Sequence, residues 1–67
     1  MVERVKCPVC EKHEFDAWGD FDVCPICGWE NDGVQMNNHN LSGGANPESV
    51  NEARKIYQAT GKYYSWD

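Results

Sequence analysis

The sequence predicts a small α+β domain, and three observations carry that reading: two Cys-x-x-Cys pairs set among short β-prone runs, a middle stretch of turn formers, and one amphipathic segment near the C-terminus. The expected architecture is a zinc ribbon, with rubredoxin-like knuckles on short antiparallel strands, followed by a long loop and one C-terminal helix. Residues 1–67 are expected to form one domain, since no internal repeat, low-complexity tract or linker rich in Pro, Gly or Ser divides them. Within it the ribbon spans 1–33, the loop 34–46, the helix 47–61 and an aromatic tail 62–67.

The ribbon is read from Cys7-Pro8-Val9-Cys10 and, after the 13 residues from Glu11 to Val23, Cys24-Pro25-Ile26-Cys27-Gly28. A tetrahedral ion needs four soft ligands, and two residues between paired cysteines let one tight turn aim both sulfurs inward. Cys7, Cys10, Cys24 and Cys27 are therefore expected to bind one metal ion, with zinc favoured. Proline after the first cysteine stiffens each turn. Gly28 permits the positive φ that closes such a knuckle and leaves backbone N–H groups free to point at sulfur. Iron is the competing ion, because rubredoxins hold a single iron in paired Cys-Pro-x-Cys knuckles; the short interval between the pairs here favours zinc.

Around the cysteines, Val5, Phe15, Trp18, Phe21, Val23, Ile26 and Trp29 suit short strands. Trp18-Gly19-Asp20 reads as the turn of a hairpin between the pairs, with Phe21-Asp22-Val23 returning as an alternating strand. Four cysteines close the coordination shell, and no nucleophile or phosphate-cradling motif accompanies Glu30 and Asp32, so no enzymatic activity is expected. His13 and His39 read as surface histidines rather than replacement ligands.

From Asn31 to Asn46 the chain is rich in Asn, Gly and Ser and has little to bury, which predicts a long loop. Such a loop either contacts something or is a mobile connector. In the first case, the stretch from Trp29 to Asn46 is a partner-binding surface with Trp29, Glu30, Asp32 and His39 as its candidate residues. Beyond it, Val50, Ala53, Ile56, Tyr57 and Thr60 make one helical stripe, with Asn51, Glu52, Arg54, Lys55 and Gln58 facing outward. Two starts compete: Asn46 capping with Pro47 in the first helical position, or Ser49 with Glu52 as a capping box. Gly61 is the expected stop. The tail Lys62-Tyr63-Tyr64-Ser65-Trp66-Asp67 is expected to pack back onto so small a core.

Size gives the metal its importance. A chain of 67 residues with 40% hydrophobic content buries too little to outweigh chain entropy comfortably, and a structural zinc adds an apparent ~10–16 kcal/mol in finger peptides. Met1 to Lys6 lacks the apolar centre of a secretory signal and no stretch approaches the length of a membrane helix, so a cytoplasmic setting is expected. There, thiols bind metals more readily than they form disulfides. Six Lys and Arg against 11 Asp and Glu give a formal charge of -5, which disfavours nucleic acid and favours basic partners.

These blocks together resemble the bacterial cysteine-rich CPCC proteins, small domains of rubredoxin or zinc-ribbon type. The resemblance runs from Cys7 to Gly61. It rests on the two Cys-Pro-x-Cys pairs, Gly28-Trp29-Glu30-Asn31-Asp32-Gly33-Val34-Gln35, Leu41-Ser42-Gly43-Gly44-Ala45-Asn46 and Ser49-Val50-Asn51-Glu52-Ala53-Arg54. One position departs from the Cys-Pro-Cys-Cys of the family's name: Val9 stands where a third thiol would be, so that thiol is dispensable for a four-ligand site. The function expected is a zinc-binding, non-catalytic interaction module for a basic protein. A narrower version covers a cationic toxin surface, as an immunity or antitoxin-like protein does. The alternatives are a rubredoxin-like iron electron carrier and a zinc-ribbon nucleic-acid binder.

Overall fold

Strand pairing begins beside the first cysteine. In the computed structural model, which describes residues 4–63, β1 (Val5–Lys6) pairs antiparallel with β2 (Glu14–Phe15), setting Val5 opposite Phe15 and Lys6 opposite Glu14. These strands flank Cys7-Pro8-Val9-Cys10, which lies at the end of its own hairpin. The second pair repeats the device without named strands. Phe21 N–H donates to Asn31 O (3.0 Å), Asn31 N–H to Asp22 O (2.8 Å) and Cys24 N–H to Trp29 O (2.8 Å), with a single antiparallel bridge between Val23 and Glu30.

This corrects the hairpin expected about Trp18-Gly19-Asp20. Trp18 and Gly19 do form a turn, but it connects two hairpins instead of making one. Each knuckle already brings its flanking backbones alongside, and closing that short loop costs less entropy than closing the longer one between the pairs.

The expected loop at 34–46 is also corrected. A five-residue helix, α1 (Gly33–Asn37), opens it, and Asp32 caps that helix by accepting from Val34 N–H (2.9 Å) and Gln35 N–H (3.4 Å). The remainder is pinned by buried polar side chains rather than by regular pairing. Gln35, wholly buried, donates from Nε2 to the carbonyls of Leu41, Asn46 and Glu48 at 3.0, 3.1 and 3.1 Å. Its Oε1 accepts from the backbone N–H and Nδ2 of Asn46. Asn46 in turn imitates a neighbouring strand: Oδ1 accepts from Glu30 N–H and Nδ2 donates to Glu30 O, both at 2.8 Å. Asp32 Oδ2 holds Ala45 N–H at 2.9 Å. Buried main chain without a ladder must find side-chain partners, and three residues supply them.

The main helix, α2 (Val50–Thr60), starts at the second of the two proposed caps. Ser49 Oγ accepts from Glu52 N–H and the Glu52 carboxylate accepts from Ser49 N–H, a complete capping box; Gly61 ends the helix at φ 82°. Val50 and Ala53 are wholly buried and Ile56 and Tyr57 pack on the core beside them. Thr60 departs from the expected stripe: it is exposed, and its hydroxyl donates to carbonyls at Ile56 and Lys62.

Two contacts clamp this C-terminal half to the knuckles. Arg54 Nε donates to Pro8 O at 2.6 Å in the first, and Tyr63 N–H donates to Cys27 O at 2.8 Å in the second. The core is accordingly the four cysteines with Val9, Phe15, Trp29, Val50, Ala53 and Tyr63. Tyr63 packs on Trp29 with ring centroids 5.6 Å apart, so the first aromatic of the tail folds back; Tyr64, Ser65, Trp66 and Asp67 lie outside the described residues. No helix among the described residues is long and apolar enough to cross a membrane.

Truncating Asn46→Ala strands both backbone groups of Glu30 and is expected to destabilise by about 2–3 kcal/mol. Ser49→Ala removes a single N-cap hydrogen bond, to Glu52 N–H, and should cost only ~1 kcal/mol. Denaturant unfolding of metal-loaded protein measures both, and equal losses would contradict the larger role given to Asn46.

Candidate metal centre

Each cysteine pair straddles a turn whose geometry is copied between the two knuckles. Glu11 N–H donates to Cys7 O at 3.0 Å and Gly28 N–H to Cys24 O at 2.9 Å, and the donor in each case has positive φ, 59° and 90°. Gly28 adopts that conformation without a Cβ penalty, whereas Glu11 does so with one. The turns also leave N–H groups facing sulfur. Ile26 and Cys27 approach Cys24 Sγ at 3.4 and 3.5 Å, and Lys12 approaches Cys10 Sγ at 3.5 Å. Such donors spread the negative charge of a thiolate.

The two hairpins bring the four sulfurs together. Cys7 Sγ lies 3.6 Å from Cys27 Sγ and Cys10 Sγ 3.7 Å from Cys24 Sγ, and all four fall within 4.8 Å of one another. These separations exclude disulfides, whose S–S length is about 2.05 Å. A tetrahedron of metal–sulfur bonds of ~2.3 Å has edges of about 3.8 Å, so the cluster fits a single tetrahedral ion. Burial agrees with such a site: Cys7, Cys24 and Cys27 are at most 2% exposed and Cys10 is 7% exposed.

As thiols, these groups share protons unevenly. Hydrogen bonds from Cys27 and Cys7 hold Cys24 well below the ordinary thiol range. Cys7 is pushed up to about 12, first by its side-chain hydrogen bond with Cys24, with burial adding to the rise. Cys27 is raised as well, chiefly by the same Cys24 contact and then by Cys7. One anion is thus solvated by two protonated neighbours, because several adjacent thiolates repel one another in a buried setting. A divalent cation relieves that repulsion and takes the place of the protons.

The residues expected on a partner surface are not brought together as one. Trp29 is wholly buried against Tyr63, which removes it from any outer face. Asp32 is 7% exposed, with both carboxylate oxygens engaged by backbone N–H groups of α1 and Ala45. Glu30 is half-buried and its backbone is paired with Asn46, while half-buried His39 accepts from Asn51 N–H through its carbonyl. Apolar surface is the scarcest resource in the core of a domain of this size, which explains why Trp29 turned inward. His13 stacks edge-on against Phe15 with centroids 5.1 Å apart, and neither histidine joins the sulfur cluster.

Gln35 was not singled out from sequence and Asn46 was read only as a competing cap for the main helix, yet together they organise the chain between the second knuckle and α2. A signal existed: Asp32-Gly33-Val34-Gln35 has a capping residue followed three positions later by Gln. Val9 lies in the core at 6% exposure, filling with methyl groups the space where a further thiol would sit.

No curated protein matches this sequence. The family model for cysteine-rich CPCC proteins does, over residues 5–65, a span that takes in both knuckles, both helices and Tyr63. Four converging cysteines and a match over nearly the whole length agree, and the chain belongs to the cysteine-rich CPCC family.

Proposed function

We propose that this chain is a non-catalytic protein-interaction module built on one zinc ion, held by Cys7, Cys10, Cys24 and Cys27. The observation that carries the reading is the cluster of four buried sulfurs with edges of 3.6 and 3.7 Å. An all-thiolate set of four suits zinc, with iron its main competitor, closes the coordination shell and fits a reducing cytoplasm. When bound, the ion supplies cross-linking: it ties the two hairpins into one body and so fixes the surface they present. The partner class follows from charge. A net -5 repels phosphate backbones and attracts basic protein surfaces, and the large apolar side chains left exposed, Trp18 and Phe21 among them, suit a protein contact.

Metal analysis of protein from its native source, prepared without added metal, is expected to give one zinc per chain. Stoichiometric iron with a reversible redox couple would replace this reading with electron transfer. Removal of the ion by a strong chelator is expected to abolish the cooperative thermal transition, since ~10–16 kcal/mol exceeds what so small a core supplies. Single Cys→Ser variants at any of the four positions should likewise weaken binding, read by competition with a chromogenic chelator.

Affinity also depends on pH with a definite sign. Cys7 and Cys27 are raised and keep their protons through neutral pH, so binding expels at least two protons. Zinc-dependent stability is therefore lost as pH falls. Between pH 8 and 6 the affinity is expected to drop about 100-fold per unit, and calorimetry in two buffers of different ionisation enthalpy counts the protons released. A pH-independent affinity would contradict the protonation assigned to these thiols.

A further inference from the structure

Positive and negative side chains are segregated along this chain. No Lys or Arg lies between Lys12 and Arg54, whereas eight of the 11 acidic residues do. Three of the six cations are engaged near the first knuckle: Arg54 reaches Pro8 O and lies 4.0 Å from Glu11, Lys12 sits over the Tyr57 ring, and Arg4 is 3.9 Å from Glu14. Among the described residues no ion pair involves Asp16, Asp20 or Asp22, all of them exposed. Asp20 is held below the usual carboxylate range by Asp22 N–H and then by the Asn31 amide, which fixes its charge.

Large apolar side chains stand on the same acidic stretch. Trp18 is 53% exposed, Phe21 59% and Val34 64%. They come from two segments that lie against each other, joined where Asn31 Nδ2 donates to Ala17 O and Asp20 Oδ1 and where Phe21 N–H donates to Asn31 O. Trp18 is set in place by contact: a Cβ on Gly33 would lie 2.7 Å from Trp18 Nε1, so the indole rests where any other residue would collide. Phe21 has φ 58°, a left-handed conformation that is strained for a bulky side chain. An aromatic kept both strained and exposed gains nothing for folding, and such positions concentrate at binding sites.

We propose that this corner, with Trp18, Phe21 and Val34 bordered by Asp16, Asp20 and Asp22, docks a protein segment presenting Lys or Arg around large apolar side chains. The proposal rests on the interaction-module reading and names its surface. Rigid aromatic anchors bury apolar area, and unpaired carboxylates at the rim select the partner's charge. The same carboxylates oppose the other occupants. A second copy would set like charges face to face, and anionic lipid headgroups or nucleic-acid phosphates would be repelled.

The test uses metal-loaded full-length protein and two synthetic amphipathic helical peptides of equal length with identical leucine faces, one with lysine and one with glutamate on the polar face. Calorimetry is expected to show binding of the lysine peptide alone, weakening as salt rises. Combining Trp18→Ala with Phe21→Ala should reduce affinity at least ~10-fold with metal stoichiometry and circular dichroism unchanged, whereas Leu41→Ala, at another exposed apolar residue, leaves it unaltered. Asp16→Asn with Asp22→Asn should weaken binding and flatten its salt dependence. If the aromatic variant binds as tightly as wild type, this surface assignment falls while the interaction-module reading stands. If the wild type takes both peptides equally or neither, the choice of a basic partner falls with it.

Discussion

Bringing four sulfurs within 4.8 Å of one another sets the terms for the rest of this molecule. Two turns must each present a pair, the turns must face each other, and the backbone on either side must be tied down by something. Strand pairing provides little of that, since β1 and β2 have two residues each and the second hairpin has a single bridge. The sulfurs themselves occupy the middle of the core, and aromatic and aliphatic side chains pack around them. A divalent ion at their centre would then act at once as cross-link and as core, which is how a chain this short can be rigid.

That arrangement explains why the rest of the chain is fastened by polar side chains. Interior volume near the sulfurs is taken by Trp29, Phe15 and Val50, leaving none for a further hydrophobic layer beneath the segment after α1. Asp32 and Gln35 hold that segment through its own backbone groups at 2.9 to 3.1 Å, and Asn46 ties it to the backbone of Glu30 at 2.8 Å. Fully satisfied networks of this kind specify one conformation, because leaving any member unpaired in the interior is costly. Asn31 and Trp29 are the exceptions. Asn31 Oδ1 and Trp29 Nε1, both carried on the second hairpin, are buried with no hydrogen-bond partner among the described residues.

The same economy separates the interior from the surface. Trp29 and Tyr63 were needed inside, next to the second knuckle, and so are withdrawn from contact with other molecules. Trp18, on the connector between the hairpins, and Phe21, at the start of the second, were not, and they remain outside in an acidic neighbourhood. A metal at the four cysteines would take over part of the stabilising role of a larger core, so that these side chains need not be drawn inside.

Much of this was legible in the residues alone. The pairing of the four cysteines into two turns followed from spacing, since Cys-x-x-Cys imposes its turn locally wherever it occurs. The capping box at Ser49 and Glu52, the stop at Gly61 and the positive φ of Gly28 are equally local, depending on neighbours within a few positions. What the tertiary structure alone decided is which segments lie side by side. The partition into two hairpins, the inward turn of Trp29 and the reach of Gln35 and Asn46 across 11 and 16 residues depend on contacts between parts of the chain that periodicity does not relate. Turn chemistry is written within a few neighbouring residues, whereas the side on which an exposed-looking Asn, Gln or Trp ends is settled by competition for a small interior.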